Sequence, residues 1–211
     1  MPLVAITHPW SNTVMILEGI VTTLGDGGLA NVAPMGPRVE ADMGRFVLRP
    51  FQTSTTFRNL KRQGEGVLHV TDDVLLFARA ALGLDLDEPT RPADVVEGVI
   101  LTRACRYHEF RVVQWDESEE RASLLVETVA EGRLRDFFGF NRAKNAVIEA
   151  AVLATRANIL PIADILDSFQ RLAPVVEKTG GDSERLAFAL LLDHVQALAQ
   201  DTDQARETLE P

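Results

Sequence analysis

Cysteine is nearly missing from this 211-residue chain. Cys105 stands alone, which excludes an intrachain disulfide and a thiolate metal cluster. Long apolar runs are missing too. No stretch reaches the roughly 18 consecutive apolar residues that read as a bilayer-spanning helix. The opening MPLVAITHPW has neither the basic region nor the long apolar core of a signal peptide. The expectation is a soluble, cytoplasmic protein with no membrane partner. The four histidines, His8, His69, His108 and His194, show no HxxH or HExxH spacing, so no metal site is expected. A nucleophile elbow, a dinucleotide fingerprint and a Walker pattern are absent, and there is no internal repeat. Bases are outnumbered, 21 Lys and Arg against 31 Asp and Glu, for a formal net charge of −10. Phosphate contacts dominate affinity for nucleic acids, so this balance argues against a nucleic-acid partner. It leaves room for one small anion in a locally basic pocket.

The last absence is local. From Met43 to Gly64 there is no acid, and there are five bases: Arg45, Arg49, Arg58, Lys61 and Arg62. Inside this window Thr53, Ser54, Thr55 and Thr56 follow a strand-like run and precede a helix-like one. A hydroxyl-rich helix start offers free backbone N–H groups and the positive end of the helix dipole, which suits phosphate or another dianion. An ordinary Ser/Thr N-cap with solvated arginines fits the same residues. Local sequence leaves both readings open.

What is present elsewhere reads first as strands. Val14 to Leu24 and Leu29 to Ala33 flank Gly25-Asp26-Gly27-Gly28, a hairpin signal. The second of these runs is expected to stop at Pro34-Met35-Gly36-Pro37, because proline cannot continue a central ladder. Arg45 to Phe51 is a third strand and Gly66 to Thr71 a fourth. A short helix from Thr55 or Thr56 to Gln63 ends at Gly64. Asp72 or Asp73 caps a helix through about Leu82. Gly83 to Asp94 is an acidic loop. Thr102 to Trp115 and Arg121 to Ala130 form a last hairpin. In its first arm Cys105, Tyr107 and Glu109 alternate with Arg106, His108 and Phe110, so both faces are mixed, as in a barrel strand with one face at an interface. After Gly139 the period becomes helical: Asn141 to Ala157, Ile162 to Leu172 with Pro174 ending or kinking it, and a helix capped by Asp182 or Ser183 running to about Gln200. The polar tail DTDQARETLEP is expected to fray. Strands before helices imply a β-barrel domain over 1–135 followed by a helical subdomain over 136–211.

On the first of these late helices Arg142, Asn145, Glu149 and Arg156 share one stripe, opposite Ala143, Ala146, Val147, Ala150, Ala151 and Ala154. The stripe is either a solvated, self-paired face or a source of cations for the anionic ligand. The small residues permit a close helix neighbour, within the subunit or across a two-fold axis. Lys178-Thr179-Gly180-Gly181 reads as a Gly C-cap or an anion nest.

These motifs together are similar to a known group. The run Asn31-Val32-Ala33-Pro34-Met35-Gly36, then Leu48-Arg49-Pro50-Phe51 and Thr53-Ser54-Thr55-Thr56-Phe57-Arg58-Asn59-Leu60, resembles the flavin-reductase-like split barrels. The segments Asn141 to Ala151 and Ala154-Thr155-Arg156 resemble the helical part of one uncharacterised family among them, domain of unknown function four-four-seven. The resemblance implies a six-stranded split barrel, mainly β with C-terminal helices, binding FMN at a homodimer interface. By position it places Pro34, Met35 and Gly36 along the isoalloxazine, with Asn31 among the cofactor-binding residues. It places Thr53, Ser54, Thr55, Thr56 and Asn59 at the phosphate, with Arg49 or Arg58 as charge. It brings no assigned reaction. A flavin-dependent oxidoreductase and a non-catalytic flavin carrier or sensor are both compatible with it. A structural dimer, in which the acid-free window pairs with a partner's acids, is a third possibility. No catalytic residue is identifiable. His69 and His108 lie on strands near the expected site, where a satisfied core histidine is the ordinary alternative.

Overall fold

The computed structural model describes residues 15–207, and side chains as far as residue 201. The expected strand start at Val14, and His8, lie outside these residues. In chain order the elements are β1 (Met15–Ile16), β2 (Gly19–Leu24), β3 (Ala30–Met35), β4 (Arg38–Val39), β5 (Arg45–Leu48), α1 (Thr55–Gln63), β6 (Glu65–Val70), α2 (Val74–Ala81), β7 (Thr90–Pro92), β8 (Val99–Leu101), β9 (Arg106–Asp116), β10 (Ser123–Arg133), α3 (Arg142–Ala154), α4 (Ile162–Thr179) and α5 (Asp182–Glu207). They form two compact units. One holds the residues up to Thr71 together with Glu88–Asp136; the other holds Asp72–Asp87 and the residues from Phe137 on.

The first unit is a curled antiparallel half-barrel of eight strands in the order β1-β4-β5-β10-β9-β6-β2-β3. Its centre is the β9–β10 hairpin, two strands of 11 residues each. Two register shifts, at Leu125/Val126 and Thr128/Ala130, interrupt their ladder, and such bulges bend and twist a sheet. The inner face buries Val21, Phe46, Leu48, Leu60, Leu68, Phe110, Leu124 and Val126. Phe46 and Phe110 meet edge to face at 5.5 Å. Phe57 and Leu60 bring α1 onto this core, as their helical spacing predicts. Glycine is required at Gly64, which closes α1 at φ 72° with its N–H on the Leu60 carbonyl.

Strand β9 buries Tyr107, His108, Glu109 and Phe110 in succession. The cover for its second face comes from the same chain. Val67 and Tyr107 pack with Val96 and Ile100, which belong to the β7–β8 segment. That segment replaces part of the expected acidic loop, and the last hairpin begins at Arg106 instead of Thr102. Glu109 has no exposed surface, and its carboxylate accepts the N–H groups of Asp94, Val95 and Val96 at 2.7, 2.7 and 3.0 Å. A buried carboxylate with three donors anchors the turn over the strand.

One proline behaves differently from expectation, and a second does not end its helix. Pro34 lies inside β3, opposite Ile20. β3 is an edge strand, so a missing N–H there costs no ladder bond. Pro174 lies inside α4, which continues for five residues beyond it. The second unit buries Ala143, Ala146, Val147, Ala150, Ala151 and Ala154 of α3 among helices of its own unit, so the close neighbours lie within the chain. Asn141 caps α3 by accepting from Lys144 N–H, and Asp73 caps α2 by accepting from Leu75 and Leu76 N–H. The polar tail is helical to Glu207, and residues 208–211 lie outside the described part.

Two outcomes follow from this packing. Ala150 has no exposed surface. Ala150→Glu leaves an unpaired charge among helices and should cost about 3–5 kcal/mol in denaturant unfolding, whereas Asn145→Glu on the exposed face should stay within about 0.5 kcal/mol. His69 is fully buried; its Nδ1–H donates to the Ile20 carbonyl (3.2 Å) and its Nε2 accepts from Leu101 N–H (3.0 Å). Burial, followed by the neighbouring His108, pushes its pKa down from 6.5 to about 4, against the Ile20 bond. The unfolded chain therefore binds a proton below 6.5 that the fold refuses until about 4. Stability should be complete above pH 6.5 and fall as the pH drops to 4, by about 3 kcal/mol from this group. Urea unfolding between pH 7 and 4 should show the loss, with a shallower profile for His69→Gln.

Candidate functional site

The hydroxyl run forms the start of α1. Ser54 is the N-cap, extended at φ −75° and ψ 153°, and its Oγ accepts from Phe57 N–H at 3.1 Å. The N–H groups of Thr55 and Thr56, in the first turn, have no carbonyl partner within the helix. No acid lies in that turn. Arg58 folds back over it, donating from Nη1 to the Thr53 carbonyl (2.7 Å) and from Nη2 to Thr55 Oγ1 (3.0 Å). A cation is thus fixed at the end of the helix that already carries positive dipole charge.

The other four bases of the acid-free window are paired. Arg45 meets Glu127 at 2.9 Å, Arg62 meets Asp26 at 3.1 Å, and Lys61 pairs with Glu117 while its ammonium lies 5.1 Å from the Trp115 ring centre. Arg49 Nη2 stands 3.3 Å from Glu119 Oε2. These carboxylates belong to the same chain. Among the described residues Arg58 alone of the five has no carboxylate within ion-pair distance. Arg49 is only partly satisfied: its Nε is buried and has no hydrogen-bond partner.

Behind the helix start lies a buried polar net. Thr23 Oγ1, on β2, accepts from the side-chain amides of Asn59 (3.0 Å) and Asn31 (3.4 Å), and Asn31 donates a further bond to Thr56 Oγ1 (3.1 Å). This net joins β2, β3 and α1, and it sets where the helix start points. Three of the sequence candidates, Asn31, Thr56 and Asn59, are therefore brought together. Thr23, their shared acceptor, was missed: nothing in its local sequence separates it from Thr22, whose hydroxyl goes instead to the Val99 carbonyl.

Thr53, Ser54, Thr55 and Arg58 form a second group at the helix start, and Arg49 turns toward the β9–β10 tip. Pro34, Met35 and Gly36 run along the outer edge of the sheet. Met35 packs its side chain against the barrel core. A Cβ on Gly36 would stand 2.9 Å from Ile16 Cγ2, so Gly36 lies close against the Ile16 side chain of β1.

The two barrel histidines, His69 and His108, are core residues. His69 spends both ring nitrogens on backbone groups. His108 is buried, and burial pushes its pKa down although Glu131, 3.2 Å from Nδ1, pulls the other way. His108 Nδ1 makes no hydrogen bond. On the α3 side, Arg142, Asn145, Glu149 and Arg156 are all exposed and form no ion pairs with one another among the described residues. In the 178–181 turn, Gly180 N–H bonds the Val176 carbonyl and Gly181 N–H is held by Glu184 Oε2, so its donors are used.

Among the described residues no group of His, Cys, Asp and Glu is arranged to hold a metal ion, and no helix is long and apolar enough to cross a membrane. The structure is similar to that of the FMN-bound protein MM1853 from Methanosarcina mazei, with 24% identity, 86% of this chain and 96% of that one covered, and a TM-score of 0.75. It is similar also to the flavin reductase HpaC complexed with NADP+, with 14% identity, 60% of this chain and 83% of that one covered, and a TM-score of 0.50. The fold is therefore the flavin-reductase-like split barrel, with helices C-terminal to it. Residues 17–135 match the family model described as protein of unknown function (DUF447), N-terminal domain, and residues 141–193 match the one described as protein of unknown function (DUF447). With both parts of that family matched in order, the chain belongs to the DUF447 proteins.

Proposed function

We propose that this protein binds FMN and that its phosphate is held at the start of α1. The observation that carries this reading is Arg58, a guanidinium without a carboxylate partner, fixed across Thr53 and Thr55 at a helix start without acids. The donor set fits a dianion: the N–H groups of Thr55 and Thr56, the hydroxyls of Thr53 and Thr55, the Arg58 fork and the unpartnered Nε of Arg49. Ser54 contributes as the cap, and Asn31, Thr56 and Asn59 hold the helix start in place. The backbone of Pro34, Met35 and Gly36, on an exposed sheet edge, is the surface left for the flat ring. The FMN-bound state of the Methanosarcina mazei protein supports the cofactor's identity.

FMN, when bound, supplies hydride and electron chemistry. The chain's part is to bind, orient and set the charge around it. This makes a flavin-dependent oxidoreductase of unassigned substrate the leading reading. A non-catalytic flavin carrier or sensor is the second, and one observation favours it: both barrel histidines are buried in the core, leaving no evident proton donor. The discriminating result is whether NADH, NADPH or another reductant reduces the bound flavin. The reading includes a cytoplasmic homodimer with FMN sites at its interface, supported by the exposed rings of Phe137, Phe138 and Phe140. It places FMN in the segment 1–135, with 136–211 as the helical segment and residues 72–87 grouped with it.

The phosphate is the testable part. Titration by flavin fluorescence should show FMN binding at least about tenfold more tightly than riboflavin, since each charge-assisted hydrogen bond contributes about 1.5–3 kcal/mol. Equal affinities would remove the phosphate from α1. Arg58→Gln should cost FMN about tenfold in affinity and leave riboflavin unchanged, on the same energy scale. Ser54→Ala with Thr55→Ala separates the two roles of the run. A cap alone predicts about 1 kcal/mol of stability lost with affinity kept, and a phosphate seat predicts that affinity falls as well.

A further inference from the structure

The tip of the β9–β10 hairpin, Asp116-Glu117-Ser118-Glu119-Glu120-Arg121, is an acidic stretch clasped by Pro50 and Gln52, just ahead of the proposed anion seat. Gln52 Nε2 donates to the carbonyls of Glu117 (2.9 Å) and Glu119 (2.8 Å), Gln52 N–H donates to the Glu120 carbonyl (3.1 Å), and Ala122 N–H donates to the Pro50 carbonyl (3.1 Å). The backbone of the tip is therefore fixed independently of its carboxylates. Two side chains then reach the basic window. Glu117 pairs with Lys61. Glu119, 74% exposed, reaches Arg49 through a single contact of 3.3 Å, longer than the 2.7–2.9 Å of a well-made charge-assisted bond. The Arg49 side chain is only 29% exposed, and its buried Nε is left without an acceptor. A guanidinium can offer two parallel donors to one oxyanion. Here the fork is half used, and its partner is a mobile-length side chain in water on a backbone that would not move if the carboxylate let go.

We infer that Glu119 is an internal competitor for the anion site: it holds Arg49 in the free protein and releases it to the ligand's phosphate. The inference rests on the phosphate reading above. It assigns Glu119 the role of setting how tightly, and for what charge, the site closes. A dianion outbids one carboxylate for both Arg49 donors, whereas a neutral ligand has nothing to offer Arg49 and leaves the pair intact. The swap conserves charge pairing at Arg49 and requires no movement of the hairpin backbone.

The test compares Glu119→Gln with Glu120→Gln. The second makes the same charge change one residue away, on a side chain without an ion pair among the described residues. Glu119→Gln should tighten FMN by about fivefold, the factor that one unit charge at contact distance makes in water-like surroundings. Riboflavin should bind the variant and the wild type alike, and inorganic phosphate should compete with FMN at lower concentration in the variant. Adding Arg49→Met to Glu119→Gln should abolish the gain, and Glu120→Gln should change affinity by less than about twofold, as an exposed charge screened by solvent. If FMN keeps its preference over riboflavin but Glu119→Gln leaves its affinity unchanged or weaker, the competitor role is wrong and the phosphate reading survives. If FMN and riboflavin bind the wild type equally, the phosphate reading falls and this inference with it. A gain in Glu120→Gln equal to that in Glu119→Gln overturns the inference too, because the effect would then be general charge and not the Arg49 contact.

Discussion

The clasp between the β9–β10 tip and the segment that leads into α1 organises the surroundings of the helix start. Two eleven-residue strands at the centre of the sheet carry their tip across to the segment that leads into α1, where Gln52 and Pro50 bind its backbone. The same strands pair with β5 on one side and β6 on the other, so the hairpin that fixes the core also fixes the surroundings of the helix start. Lys61, Arg49, Arg45 and Arg62 are neutralised by acids of the same chain. What remains is Arg58, folded over the first turn of α1. A basic window in an acidic protein thus resolves into one uncompensated guanidinium and one half-used guanidinium beside free helix N–H groups. Exposed ion pairs contribute little to stability; their consequence here is to decide which cations remain for a ligand.

Rigidity at that helix start comes from a different source. Thr23, Asn31, Thr56 and Asn59 exchange hydrogen bonds under the helix, and Thr23 is almost fully buried. Amides and hydroxyls in such a position must find partners, so the net tolerates little change of geometry. Phe57 and Leu60 on the core side complete the fixation. The helix start is therefore held before any ligand arrives, which reduces the ordering cost of binding.

Local rules made much of this legible in the sequence. Ser54, Asp73 and Asn141 cap the helices that their positions predict, and Gly64 stops α1 because it alone of the local residues adopts φ 72° without strain. The alanine face of α3 is buried as its spacing implies. Long-range pairing was not legible. Glu119 is 70 residues from Arg49 and Glu117 is 56 residues from Lys61, so nothing local shows that the window's charge is mostly spent. The two-sided burial of β9 was visible as a mixed pattern, but its cause, the β7–β8 segment anchored by Glu109, lies in a stretch whose prolines and acids resemble a loop. Pro34 misled because the rule against proline in strands applies to central strands, and sequence does not say which strand is at an edge.

The features of the helix start depend on one another in order: the hairpin neutralises most of the window, the buried net fixes the helix start, and Arg58 and Arg49 are the cations that remain for the proposed phosphate. FMN is the group proposed for this arrangement, since it combines a dianion with a flat ring. The most direct measurement is the visible absorption spectrum of the purified protein, before and after addition of FMN and removal of unbound flavin, with chromatographic identification of whatever is released on denaturation. The account predicts flavin bands retained by the protein and FMN, carrying its phosphate, as the released species. A colourless protein that retains no added FMN would contradict it.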